Sequence, residues 1–153
     1  QYRHFIINAG GDIYAEGKKH QRNWRVAIEN PYREGIVATL ELPSAMSIFT
    51  SGNYRRYYLD QNQQRRHHII DPKSGQPSKQ ISAATVMHAD PEIADIAATT
   101  LMLTEIPRLK TITHKLGIED FLVLTEQNHA YISKSMLKKI TWHQTNSLNI
   151  HEL

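Results

Sequence analysis

Residues 66–100 decide the fold of this chain: R-H-H-I-I-D-P-K-S-G-Q-P at 66–77, a short polar connection, I-S-A-A-T-V-M-H at 81–88, and A-D-P-E-I-A-D-I-A-A-T-T at 89–100. Asp71-Pro72 and Ser74-Gly75 supply turn residues, so the chain must reverse there. The run at 81–88 is rich in alanine and β-branched residues, which predicts a buried strand. Asp90 is a candidate N-cap, and Pro91 fits the first position of a helix. The stretch therefore predicts strand, turn, strand and helix.

Asp95 and Thr99 lie four residues apart on this predicted helix, so their side-chain oxygens share one face. We expect Ala94, Ala97 and Ala98 to surround them and to let a ligand or another segment approach closely. An unpaired carboxylate near a core is costly, which favours a cation as its partner. The helix thus predicts a site for a hard metal ion or a phosphate.

Size and composition limit the alternatives. A chain of 153 residues is long enough for a real core, and we expect a single domain over residues 1–153. The absence of cysteine excludes disulfides, thiolate zinc sites and thiol nucleophiles. A net charge of +3 allows at most a local basic patch. No apolar run reaches the length of a membrane span.

The sequence starts directly in a predicted strand, without initiator Met or signal segment, so we expect it to be a portion of a longer chain. The cellular compartment stays open.

The rest of the chain predicts an α+β fold with mainly antiparallel pairing and two consecutive helices in its second half. Alternating apolar segments between turn signals predict strands at 2–7, 13–15, 23–29, 36–42, 45–49, 121–125 and 130–132. Gly52 is interpreted as a turn before a further strand carrying arginines and tyrosines. Pro107 opens the second helix, which stops at Gly117. Residues 133–142 are compatible with helix or strand, and the last ten residues are expected to be peripheral.

Spacing argues against two familiar sites. Gly11 and Gly17-Lys18 do not have P-loop spacing, and no Ser or Thr follows Lys18. The zinc candidates His67, His88 and Asp90 include no pair at i, i+4 helical spacing with a third ligand. Neither a P-loop nor a zinc centre is predicted.

Five motifs follow one another along the chain: N-A-G-G-D at 8–12, W-R-V-A-I-E-N-P at 24–31, T-S-G-N-Y-R-R-Y at 50–57, H-I-I-D-P-K-S-G at 68–75 and A-D-I-A-A-T at 94–99. In this order they resemble the ApbE family, the FAD:protein FMN transferases. Each motif alone is a weak signal, whereas the ordered series is a strong one. The resemblance covers nearly all of this chain but roughly the second half of a family member. We therefore expect this chain alone to fold but to transfer FMN inefficiently.

The resemblance implies a reaction. A threonine or serine hydroxyl of an acceptor protein attacks the FMN-side phosphorus of FAD, and AMP leaves. Such a transfer needs charge neutralised on the pyrophosphate, usually by Mg²⁺, and a base for the hydroxyl proton. By resemblance Asp95 and Thr99 are the metal ligands and His68 is the base, a role that suits histidine near neutral pH.

The resemblance also implies partners and further site residues. The partners are FAD and an acceptor flavoprotein subunit, for example of a redox-driven ion pump, in the bacterial periplasm or at a membrane. A homodimer is left open, and no nucleic acid is expected. The expected cofactor-binding residues are Asn8, Gly10, Gly11, Asp12, Ser51, Gly52, His68 and Asp71.

The residues by themselves favour plainer roles for some of these positions. Asp71 and Gly10-Gly11 are first of all turn residues, and His68 alone would be a surface or satisfied histidine. Asn53 stands where the family usually has Asp, which weakens a charge role for that position but not its place in a turn. These positions owe their functional meaning to the order of the motifs.

Two other function classes remain open at the level of sequence. A nucleic-acid-binding module is suggested by interleaved basic and aromatic residues: Arg55, Arg56, Tyr57, Tyr58, Arg65, Arg66, His67 and His68. Acidic residues are nearly as numerous as basic ones, which makes this module the weaker hypothesis. The other alternative is a domain of the same family that binds flavin without catalysis.

Overall fold

The computed structural model describes residues 2–143 and 148–153. In chain order the described strands are β1 (Phe5–Ala9), β2 (Asp12–Glu16), β3 (Trp24–Glu29), β4 (Ile36–Leu42), β5 (Met46–Gly52), β6 (Tyr57–Leu59), β7 (Arg65–His67), β8 (Ile81–His88), β9 (Asp120–Thr125), β10 (His129–Ile132), β11 (Ile140–Trp142) and β12 (Asn149–Glu152). The helices are α1 (Pro91–Met102), α2 (Leu109–Lys115) and α3 (Lys134–Leu137). Within these residues none of the helices is both long and apolar enough to cross a membrane.

The main sheet has seven strands in the order β1-β2-β5-β8-β9-β10-β12. Neighbouring strands of this sheet pair antiparallel, except that β10 and β12 pair parallel. A second sheet has the order β11-β4-β3, and β6 and β7 form a separate two-stranded hairpin. The predicted α+β class with mainly antiparallel pairing is confirmed.

The main sheet is covered on both faces. Ala83 and Met87 of β8 point into an apolar cluster shared with the second sheet, whereas Ala84 and Val86 point into a cluster shared with α1 and α2. Strand β9 divides in the same way between the two clusters. Because β8 and β9 are buried on both faces, their sequences are continuous apolar runs and do not alternate.

Helix α1 lies against β5 and β8 and begins where the sequence predicts. The Asp90 side chain accepts hydrogen bonds from the backbone N–H groups of Glu92 and Ile93 and so caps the helix. Ala94, Ala97 and Ala98 are fully buried against the sheet. These small residues bring the helix axis close to β5, which sets the position of its exposed polar side chains.

Some predicted elements differ in the structure. Gly52 is the last residue of β5 and not a turn residue, and a Cβ at that position would lie 2.5 Å from the Tyr54 ring. The second helix begins at Leu109, after a single 3₁₀ turn at Ile106–Arg108. Residues 133–142 contain both a helix and a strand, α3 and β11. The last ten residues include β12, an exposed edge strand of the main sheet, while residues 144–147 lie outside the described part.

Candidate functional site

Asp95 and Thr99 lie one turn apart on the exposed side of α1. The hydroxyl of Thr99 is 3.0 Å from the hydroxyl of Ser51 on β5, so α1 and β5 meet at this point through hydrogen-bonding side chains. The expectation that alanines surround Asp95 is wrong. Ala94, Ala97 and Ala98 face the sheet, whereas Asp95 is exposed to solvent. The cost of burying a lone carboxylate is therefore no argument for a cation at Asp95. An argument for a cation must rest on the groups near Asp95.

Asp12, on strand β2 next to β5, is one such group, because its carboxylate interacts electrostatically with Asp95. Burial raises the pKa of Asp12 above its ordinary value, and the negative charge of Asp95 raises it further. A hydrogen bond from the backbone of Thr50 and the positive charge of Arg56 act in the opposite direction without cancelling the rise. Two carboxylates of like charge thus face one region, and a bound cation would relieve their repulsion.

These groups fit a magnesium ion carried by a phosphate substrate. Carboxylate and hydroxyl oxygens are hard ligands, which Mg²⁺ prefers over nitrogen or sulfur. In the described part of the chain no group of three or more His, Cys, Asp or Glu could hold a metal ion. Magnesium sites commonly use one or two carboxylates and leave the other positions to water and substrate phosphates. Asp95, Thr99 and Asp12 therefore match such a shared site better than a closed protein cage.

The turn between β1 and β2 delivers Asp12 to this site. Gly10 and Gly11 have φ angles of 78° and 116°, and a Cβ at either position would meet nothing within 4 Å. The need for glycine is therefore conformational and not steric. The Asn8 side chain accepts a hydrogen bond from the Gly11 N–H at 2.8 Å, which closes the turn. The glycines and Asn8 shape the turn, and Asp12 is its charged residue.

His68 is exposed at the base of the β6–β7 hairpin. Its Nδ1 lies 3.3 Å from the carbonyl oxygen of Arg56, the residue whose charge acts on Asp12. A protonated Nδ1 donates to that carbonyl and leaves Nε2 as the basic nitrogen. This tautomer is suited to accepting a proton from a hydroxyl group.

Asp71 has the turn role that its residue type suggests. Its carboxylate accepts hydrogen bonds from the Lys73 N–H and from the Ser74 hydroxyl, and the first of these does most to hold the pKa of Asp71 below its usual value. It lines a small cavity with residues at the C-terminal end of α1, including Met102. A helix rises about 1.5 Å per residue, so roughly 10 Å of α1 separates Met102 from Asp95. The structure does not bring Asp71 to the Asp95 site.

Two contributors were not singled out for this site from the sequence. Arg56 is part of a family motif, but as a single residue the sequence suggests it only for nucleic-acid binding. Thr50 acts through its backbone N–H, which no side-chain pattern reveals. The motif T-S-G-N-Y-R-R-Y contains both residues. The signal available in the sequence was that this motif belongs to the same ordered series as N-A-G-G-D. The other arginines near Arg56 are engaged elsewhere: Arg55 pairs with Glu29, Arg66 pairs with Asp60, and Arg65 stacks on Tyr57.

Asn53 has a structural role that depends on its amide. Its buried amide donates to the Glu126 carboxylate at 2.7 Å and to the Ile81 carbonyl at 3.4 Å. Its backbone N–H donates to the Ser82 carbonyl at 3.0 Å. An aspartate would face Glu126 with like charge and without a donor. The amide therefore joins the end of β5 to β8 and to the loop after β9.

Comparison with known proteins identifies the family of this chain. The model of the ApbE family matches residues 1–122. The FAD:protein FMN transferase of Rhodobacter capsulatus is 30% identical over 138 residues, which cover 90% of this chain and 26% of that protein. The FAD:protein FMN transferase of Haemophilus influenzae is 30% identical over 145 residues, which cover 91% of this chain and 41% of that protein. The chain belongs to the ApbE family, and it spans less than half the length of these relatives.

Solved structures share the fold. The ApbE protein of Thermotoga maritima superposes with a TM-score of 0.81 at 24% identity, over 89% of this chain and 44% of that one. The flavin transferase ApbE of Vibrio cholerae superposes with a TM-score of 0.73 at 29% identity, over 90% and 44% of the two chains. The predicted ApbE-like fold is confirmed.

Proposed function

We propose that this chain acts in FMN transfer from FAD to a threonine or serine of an acceptor protein, with AMP released. The observation that carries the proposal is the meeting of three separate motifs at one point. Asp12, Ser51 and Thr99 come from different motifs, and Asp95 lies beside them. A site assembled from β2, β5 and α1 has the oxygen ligands and the nearby arginine that a metal-bound pyrophosphate requires.

Each residue has a defined task in this proposal. Asp95 and Thr99 would hold Mg²⁺, with Asp12 as a nearby charge that favours the ion. When bound, Mg²⁺ neutralises charge on the pyrophosphate oxygens. Arg56 would attract the phosphates of FAD toward the same region. The turn at Gly10-Gly11 leaves the backbone open there, which would allow close approach of the substrate.

The chemical step would use His68 at the acceptor hydroxyl. The hydroxyl oxygen forms a bond to the FMN-side phosphorus while the bond from that phosphorus to the bridging oxygen breaks. His68 Nε2 takes the hydroxyl proton, and AMP leaves with the bridging oxygen. The hydrogen bond between Nδ1 and the Arg56 carbonyl would keep His68 in the tautomer that accepts this proton.

The metal role of Asp95 is tested by calorimetry with FAD, with and without Mg²⁺, on this chain and on Asp95→Asn. We expect Asp95→Asn to weaken the magnesium-dependent binding by about tenfold or more, because a charged partner contributes roughly 1.5–3 kcal/mol. Glu92→Gln is the matched control, since it removes a charge from the exposed first turn of the same helix. Equal magnesium-dependent binding by Asp95→Asn and the unsubstituted chain would refute the assignment.

A further inference from the structure

A second cluster of polar side chains lies at the far edge of the main sheet. His129 and Tyr131 are two residues apart on β10, and His151 is paired with Tyr131 on the parallel strand β12, so all three project from one face. The His151 ring is 4.8 Å from the Tyr131 ring at an interplanar angle of 15°. Strands β8 and β9 lie between β5 and β10, so three spacings of about 4.8 Å place β10 about 14 Å from β5 across the sheet.

The two imidazoles contact each other through their nitrogens. His129 Nδ1 and His151 Nε2 are 2.8 Å apart, while the ring centroids are 5.0 Å apart at an interplanar angle of 20°. A nitrogen contact this short at that centroid distance means that the rings meet edge to edge. One proton is shared in this contact, and both nitrogens have lone pairs available once that proton leaves.

The proximity of these nitrogens places two imidazoles where one metal ion could bind both. Imidazole nitrogens bind such an ion at about 2.0 Å, so two neighbouring ligands lie about 2.8 Å apart around a square-planar ion and about 3.3 Å apart around a tetrahedral ion. The observed separation of 2.8 Å is that of the hydrogen bond between the rings, so it brings two imidazoles within reach of one ion without selecting the geometry of that ion. Copper(II) binds nitrogen ligands more tightly than the other divalent ions of its row, and nickel(II) comes next in that order, so a pair of imidazoles favours copper(II).

The surroundings favour a bound cation. A cavity of about 520 Å³ opens beside the cluster, large enough for an ion and its remaining water ligands. It is lined by Gln80, Glu105, Ile106, Pro107, Thr125, Gln127, His129 and Tyr131. Glu105 is the charged residue of that lining, and its negative charge favours a cation. Each imidazole must turn about its side-chain bonds to direct its lone pair at a common ion, which His151 can do because it is exposed.

We propose that His129 and His151 form a two-imidazole site for copper(II), and more weakly for nickel(II), separate from the magnesium site. Tyr131 acts as a positioning residue, because its ring packs against the His151 ring and limits the orientations that this exposed side chain adopts. The site needs only the two imidazoles from the protein, and water completes the coordination.

The test is calorimetric titration of the chain with copper(II) alone, in excess Mg²⁺. We expect His129→Gln and His151→Gln each to weaken copper(II) binding at least tenfold, and Tyr131→Phe, which keeps the ring, to bind like the unsubstituted chain. His114→Gln is the control, an exposed histidine of α2 outside the cluster. Equal affinity of the two glutamine variants and the unsubstituted chain overturns the proposal.

Electron paramagnetic resonance of the copper(II)-loaded chain gives an independent readout. Two equatorial nitrogen ligands in the unsubstituted chain, reduced to one in either glutamine variant, support the site. A spectrum that is the same in all variants overturns it. Copper(II) binding that is lost in the histidine variants and unchanged in Asp95→Asn does not depend on the Asp95 site. Failure of this proposal would leave the proposed transferase function unaffected, and the reverse also holds.

Discussion

At the scale of single residues, the role proposed for His68 can be tested separately from FAD binding. His68 is exposed and contacts the backbone of Arg56, so its removal leaves the proposed metal ligands on α1 in place. We expect His68→Ala to lower the rate of flavinylation of an acceptor protein by about 10²–10⁴-fold while FAD affinity changes little, since a general base acts mainly in the transition state. Turnover and FAD binding are measured separately, with His114→Ala as control. An undiminished rate in His68→Ala would remove it from the mechanism.

Tyr32 gives the molecule a predictable response to alkaline pH. Its hydroxyl donates to the Thr125 carbonyl, and burial, aided by the charge of Glu126, raises the pKa of Tyr32 from 10.0 to about 12. Between these values the unfolded chain has lost the phenol proton while the folded chain keeps it. The stabilisation by Tyr32 is therefore complete below pH 10 and disappears as the pH rises to about 12.

Replacing Tyr32 by Phe should flatten this decline in stability, because phenylalanine has no proton to lose. The free energy of unfolding is measured with denaturant at several values between pH 9 and 12, the range set by the two pKa values of Tyr32. Tyr2→Phe is the control, since Tyr2 is 91% exposed near the start of the chain. Parallel curves for Tyr32→Phe and the unsubstituted chain would contradict the assignment.

At the scale of secondary structure, α1 depends on its cap. Asp90 accepts the Glu92 N–H at 2.9 Å, and its replacement by alanine leaves that donor without a side-chain partner. We expect Asp90→Ala to lower the free energy of unfolding by about 0.5–2 kcal/mol, measured by denaturant titration. Asp90→Ser should recover most of the loss, because serine also caps helices. If the serine variant is as unstable as the alanine variant, the loss does not come from the cap.

The same helix shows how far sequence reasoning reaches. Local chemistry predicts its start at Pro91 and the strand Ile81–His88, because caps, prolines and continuous apolar runs are encoded within a few residues. The exposure of Asp95 was mispredicted, since four-residue spacing defines a shared face but not whether that face meets the sheet. The electrostatic interaction between Asp12 and Asp95 depends on the strand order β2-β5-β8, which arises from pairing between distant segments.

The motifs thus predicted which residues would lie near one another better than they predicted the electrostatics of those residues. Asp12, Ser51, Asp95 and Thr99 were all expected from motifs, and the structure places them together. Edge strand β12 was missed because it is a short, fully exposed strand with little apolar patterning. Its parallel pairing with β10 brings His151 to His129 across 22 positions of the chain, a contact that no local pattern encodes.

At the scale of the whole molecule, the two apolar clusters share strands β8 and β9. Trp24 and Trp142 pack against the cluster beneath the second sheet, while Leu101 is fully buried in the cluster beneath α1. Since each shared strand contributes alternate side chains to both clusters, loss of one cluster exposes one face of the strands that support the other. The clusters should therefore unfold in a single transition.

Leu101→Ala tests this coupling from the side that contains no tryptophan. Creating a cavity at a fully buried leucine costs about 2–5 kcal/mol. We expect the denaturant midpoints from tryptophan fluorescence and from far-ultraviolet circular dichroism to fall together, although both tryptophans lie on the opposite face of the sheet. Leu103→Ala, at the partly exposed C-cap of α1, is the control and should change both midpoints much less. A circular dichroism transition that moves while the fluorescence transition stays would mean that the second sheet and its face of the main sheet unfold independently of α1.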